Sequence, residues 1–167
     1  MKRLLAFFCT LICLFSLVGC DPGCKSLNKE ELLANTVRIE LVDYANENPK
    51  MVRINGRKKP RFEFNKVTFI AALDESYYED LLVELSEYSY LVFGSALNEP
   101  LGKTLVLYQS NGNMIVLFGC VYTNGKDTYY YGDCNVYDSN GVFVEHIGDV
   151  YYQFFEMIEF KYFQTTP

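Results

Sequence analysis

The chain holds one histidine, six cysteines and twenty-one acidic residues, the side chains with which it could do chemistry. His146 follows a strand-like segment in "VEHIG". A nucleophilic mechanism would need a serine or cysteine brought against that imidazole as its base. No Gly-x-Ser-x-Gly elbow or other nucleophile context accompanies it, so a surface or strand-edge histidine is expected. Glycoside hydrolysis would need two carboxylates across a cleft, and spacing singles out no such pair. Asp133, Asn135 and Asp138 in "GDCNVYDSNG" echo a calcium loop. The spacing fails and no Glu closes the loop, so an ordinary turn is expected. Phosphate-binding and dinucleotide fingerprints are missing too. The expectation is therefore no catalytic residue, no metal ligand and no cofactor.

The cysteines are more informative. Lys2 and Arg3 precede an uncharged apolar run from Leu4 to Val18, which ends at Gly19-Cys20. A run of about fifteen residues is short of the ~20 that span a bilayer core, which favours a signal peptide over a transmembrane helix. Leu17-Val18-Gly19-Cys20 resembles a lipobox, the processing motif of bacterial lipoproteins. In that family the cysteine thiol receives a diacylglyceryl group, the bond before it is cut, and the cysteine becomes the new N-terminus. The resemblance implies a cleaved signal peptide over 1–19 and a lipidated Cys20. With a second acyl chain such an anchor is stable. Asp21 fits the same picture, because an Asp at this place is similar to the inner-membrane retention signal of Gram-negative lipoproteins. A Gram-positive cell has only the one membrane. The implied address is the outer face of the bacterial cytoplasmic membrane.

Cys24, Cys120 and Cys134 remain after cleavage. Export permits disulfides, and Cys120 with Cys134 is the preferred pair. Against it, a hairpin closed at Asn124-Gly125 would set Cys120 opposite a residue near Tyr129. That register carries the two sulfurs past the ~7 Å Cα separation a bridge tolerates. Three scattered thiols and one histidine lack the C-x-x-C spacing of a zinc site.

The elements that must position these residues follow from periodicity. Residues 20–35 read as the lipidated cysteine and a short tether. Within it, Ser26 to Asn35 can make one or two helical turns, with Asn28 and Glu31 in capping-box spacing. One domain spans 36–167. Thr36–Tyr44 alternates as a half-buried strand, Met51–Ile54 is a shorter strand ended by Asn55-Gly56, and Lys66–Leu73 is another. Asp74–Tyr88 is a helix with Ser76 and Glu79 in capping-box spacing and an apolar face of Tyr78, Leu81, Leu82, Leu85 and Tyr88. "YLVFG", "TLVLYQ" and "MIVLF" are strands, and Asn111-Gly112, Asn124-Gly125 and Asn140-Gly141 turn a meander. Asp149–Phe163 has Tyr151, Phe155, Ile158 and Tyr162 at helical spacing, although its many aromatics also suit a strand. The sum is an α+β fold: an antiparallel sheet of five to seven strands with one or two helices on one face. Fourteen Tyr and thirteen Phe support the sheet-rich reading. The segments "LDESYYEDLLVELSEYSYLVFG", "LVLYQSNGNMIVLFG" and "YDSNGVFVEHIG" resemble pieces of small, uncharacterised lipoproteins of Gram-positive gut bacteria. That resemblance implies an envelope setting and no active site.

Two surfaces can make contacts. Arg57, Lys58, Lys59 and Arg61 concentrate positive charge in an acidic protein, a candidate patch for anionic headgroups or wall polymers. Tyr129 and Tyr131 share one side of a strand as a candidate aromatic contact. Loss of Lys2 and Arg3 moves the formal net charge from -6 to -8, which disfavours nucleic acid as a partner. The expected function is a membrane-anchored, extracytoplasmic, non-enzymatic binding module for an envelope protein or glycan. The alternative is a small envelope hydrolase whose carboxylate pair the linear sequence hides.

Overall fold

A computed structural model describes residues 23–44, 51–54, 56–92, 102–124 and 126–164. The signal segment, Cys20, Asp21-Pro22, the Phe93-Gly94 end of "YLVFG" and the turn residues Asn55 and Gly125 lie outside these residues. Eight strands form one antiparallel sheet: β1 (Gly23–Lys25), β2 (Thr36–Tyr44), β5 (Val67–Ala72), β6 (Tyr90–Val92), β7 (Gly102–Gln109), β8 (Met114–Asn124), β9 (Asp127–Tyr137) and β10 (Phe143–Val150). Their order is β1-β6-β10-β9-β8-β7-β2-β5. A separate ribbon pairs β3 (Met51–Ile54) with β4 (Arg57–Pro60). Among the described residues three α-helices complete the fold: α1 (Lys29–Asn35), α2 (Tyr78–Glu87) and α3 (Tyr152–Phe163). The α+β class and the meander β7-β8-β9-β10 are as expected, but the sheet is wider and carries one helix more.

All three helices cover one face of the sheet. Leu32 of α1, Leu81, Leu82 and Leu85 of α2, and Phe155, Ile158 and Tyr162 of α3 share a core with Ile39, Leu105, Leu107 and Leu117. Burying each such side chain is worth about 1.5–3 kcal/mol, so the three docked faces dominate helix stability over intrinsic propensity. The aromatic segment near the C-terminus resolves as helix, starting at Tyr152 because Asp149 and Val150 are taken up by β10. Helix α2 starts later than its spacing suggests. Asp74, not Ser76, is the capping side chain, accepting from the Ser76 N–H at 2.9 Å and opening a 3-10 turn ahead of α2. Asn28 caps α1 as expected, accepting from the Glu31 N–H at 2.9 Å.

Residues 23–35, expected as tether, belong to the fold. β1 pairs with β6, and Leu27 and Leu32 enter the helix-side core. The opposite face has a second core of Val42, Tyr44, Phe62, Val106, Val116, Phe118, Tyr137 and Phe143. Phe62 closes it, stacked on Tyr44 at a centroid distance of 4.7 Å. Its backbone N–H donates to the Gly141 carbonyl at 2.8 Å. Gly141 sits at φ +73°, and an added Cβ there would fall 2.0 Å from the Phe62 carbonyl oxygen. Only glycine satisfies both the turn and that approach.

Candidate functional site

The pairing of β9 with β10 assembles the chain's chemistry on the sheet face that carries the second core. Asn135 stands opposite His146, and Asp133 opposite Asp149. His146 and Asp149 are three residues apart, so strict alternation would send them to opposite faces. A bulge between His146 and Gly148 shifts the register by one and restores them to one side. One ligand atom from each of Asp133, His146 and Asp149 then lies within 4.8 Å of the others.

Burial grades across this cluster. Asp133 and Asn135 are fully buried, whereas the side chains of His146 and Asp149 are 15% and 23% exposed. His146 Nδ1 lies 2.8 Å from Asn135 Oδ1. An amide oxygen only accepts, so this contact places the ring proton on Nδ1 and leaves the lone pair on Nε2. Nε2 is buried and 3.3 Å from Asp149 Oδ1, an ion pair whenever the ring is protonated. Asn135 Nδ2 is also buried without a hydrogen-bond partner. Burial pushes the imidazole below its ordinary value; Asp149 opposes that shift, and Lys25 and Lys59 reinforce it. The imidazole thus sits beside the Asp149 carboxylate, with the Asp133 carboxyl group in the same cluster. Lys25 is itself engaged, donating to Glu145 Oε1 at 2.7 Å and to the His146 carbonyl at 3.0 Å.

Of this cluster the sequence suggested Asp133 and Asn135 only as parts of a failed calcium loop. Asp138, the third, serves the turn, where its Oδ1 accepts from the Asn140 and Val142 N–H groups at 2.8 Å. One signal could have found the pairing. A tight turn at Asn140-Gly141 sets Asn135 opposite His146 by counting outward. Asp149 was beyond that count, since a plain ladder would have faced Asp133 with Gly148.

The other candidate residues disperse. In the β8–β9 ladder Cys120 stands opposite Tyr131 and Cys134 opposite Leu117. Three rungs, roughly 10 Å of strand, separate the cysteines, beyond disulfide reach. Cys134 is a buried free thiol whose ionisation is pushed up by burial and then by Asp133. The preferred bridge thus has no support from the ladder, and the register differs from expectation because the loop falls at 125–126, one residue late. The side chains of Cys120, Tyr129, Tyr131 and Arg57 lie outside the described residues. Within the basic patch, Arg61 donates from Nε and Nη2 to the Asn140 carbonyl at 3.0 and 2.9 Å. Lys59 lies 4.8 Å over the Phe143 ring, and Lys58 is exposed. Two of the four expected patch cations therefore serve the hairpin's attachment.

Two grooves flank the helices. One of about 540 Å³ runs beside α3 and is lined by Lys103, Tyr152, Phe155, Glu159 and Phe160. Gly119 makes room for it, since a Cβ there would lie 2.8 Å from the Tyr152 ring. Glu159 is nearly buried, paired with Lys103 and accepting from Gln164 Nε2 at 2.9 Å. Tyr130 is 56% exposed and packs its ring 5.5 Å from that of Tyr152, extending the aromatic surface. The second groove, about 420 Å³, sets Asn28, Asn35, Asn111 and Asn113 around Leu32 and Ile147. No family model matches the chain, and no curated protein or solved structure is significantly similar to it.

Proposed function

We propose that this chain is an extracytoplasmic bacterial lipoprotein, held by Cys20 on the outer face of the cytoplasmic membrane, whose folded domain is a non-enzymatic binding module of the envelope. The observation that carries the reading is the spacing of Lys2-Arg3, the apolar run and Leu17-Val18-Gly19-Cys20. It is compatible with the fold in two respects. Among the described residues no helix is long and apolar enough to cross a membrane. The first strand begins at Gly23, three residues beyond Cys20, a reach of roughly 10 Å even when extended. An anchor there holds the β1–β6 edge close to the bilayer surface.

The groove beside α3 is the favoured contact surface. Tyr152 and Phe160 offer apolar rings, and Lys103, Glu156 and Gln164 offer polar groups at its rim. This mixture of flat apolar area and few oriented polar groups suits an envelope glycan or protein segment. A hydrolase would draw its carboxylate pair from Asp133 and Asp149. Full burial of Asp133, outside both grooves, favours binding instead. Fractionation of cells expressing Cys20→Ala tests the anchor: release to the soluble fraction supports it, and unchanged membrane retention overturns it. Recovery of envelope material by the wild-type protein, lost in Phe160→Ala, tests the groove.

A further inference from the structure

We propose that Asp133, His146 and Asp149 form a binding site for a divalent transition-metal ion of the Zn2+ class, with Asn135 as the positioning residue that orients the imidazole. The inference is independent of where the chain resides, since it rests on side chains of the folded domain alone.

Three features carry it. The donor set is one imidazole nitrogen and two carboxylates, the mixed nitrogen–oxygen set that suits Zn2+ and not the all-oxygen shells of Ca2+ or Mg2+. The separation is right: ions with ligand bonds of ~2.0–2.1 Å in tetrahedral array hold their ligands roughly 3.3 Å apart. His146 Nε2 and Asp149 Oδ1 are 3.3 Å apart already. The third ligand atom, from Asp133, lies within 4.8 Å of the other two. Lastly, the tautomer is preset. Asn135 Oδ1 at 2.8 Å holds the proton on Nδ1, the arrangement in which an outer residue fixes a metal-binding histidine.

The remaining polar geometry is consistent with a cation here. His146 Nε2 is buried with no hydrogen-bond partner, and it points at the carboxylate side of the cluster. The side chains of His146 and Asp149 keep partial exposure, 15% and 23%. Lys25, in an ion pair with Glu145, and Lys59 add positive charge nearby.

His146 is the only histidine, which makes the test specific. The full-length protein, 15N-labelled at histidine and purified in detergent, is titrated with Zn2+ and its two imidazole nitrogens are followed by NMR. The expected result is a proton on Nδ1 in the metal-free protein and a saturable shift of Nε2 complete at one equivalent. Titration with Co2+ in parallel should give a visible spectrum without the thiolate charge-transfer band that cysteine ligands produce. Asp149→Asn should weaken binding, and Asn135→Leu should weaken it by ~10–100-fold, as outer residues of metal-bound histidines do. No Nε2 response at about 1 mM free Zn2+ would overturn the proposal. So would thiolate bands in the Co2+ spectrum with the imidazole unmoved. Should either variant fail to fold, the wild-type titration still decides.

Discussion

Asn135 and His146 face each other across β9 and β10, with the amide oxygen 2.8 Å from Nδ1. This contact makes the imidazole a defined tautomer instead of a mixture. Replacing Asn135 by Leu leaves the Nδ1 proton buried without an acceptor. The expected cost is about 1–3 kcal/mol, read from the urea midpoint at unchanged slope. A variant as stable as wild type would mean the contact does not form.

Gly141→Ala tests the closure of the second core. The substitution forces a side chain into a left-handed backbone conformation and against the Phe62 carbonyl. A loss of about 2–4 kcal/mol is expected by urea denaturation. Gly112→Ala, also at positive φ but with only the Ser139 side chain nearby, should cost less.

Alkali should unfold the protein through its buried phenols. Burial, then a hydrogen bond to the Glu40 carboxylate, raises Tyr108 from 10.0 to about 12, against the opposing pull of Arg38. Burial raises Tyr90 as well. Both groups are neutral in the native state when the unfolded chain has begun to ionise. The unfolded state therefore binds fewer protons, and stability falls as pH rises from 10 through about 12. Urea midpoints across that range should decline. A flat stability profile would contradict the burial assigned to Tyr108.

Cys134 should be inert in the native protein. Its thiol is fully buried, and burial with Asp133 beside it disfavours the thiolate that reacts. Alkylation followed by peptide mass mapping should find Cys134 unmodified until denaturant is added. Rapid native labelling would show that β9 is open at this point.

The sequence made the fold class legible because its strands and turns obey simple periods. Thr36–Tyr44 alternates, and the Asn111-Gly112 and Asn140-Gly141 pairs mark turns whose glycines adopt positive φ. The β1 strand was hidden, since "GCK" is too short and too exposed to show a period. The second core was equally obscure. Phe62 sits in a charged loop, and only its long-range stacking on Tyr44 reveals its place. The candidate metal cluster lay one step further from view. Its members come from two strands, and a one-residue bulge, which no period announces, turns Asp149 to the same side as His146. The contacts of the basic patch were hidden for a related reason. Arg61 and Lys59 look free in one dimension but meet Asn140 and Phe143 in three.

The central claim is that Cys20 is the attachment point of the working protein. Intact-mass and N-terminal peptide mass spectrometry of the protein purified from a bacterial membrane tests it most directly. The account predicts a chain that begins at Cys20 and carries a diacylglyceryl group on its sulfur. A chain that retains residues 1–19, or that carries an unmodified Cys20, would contradict it.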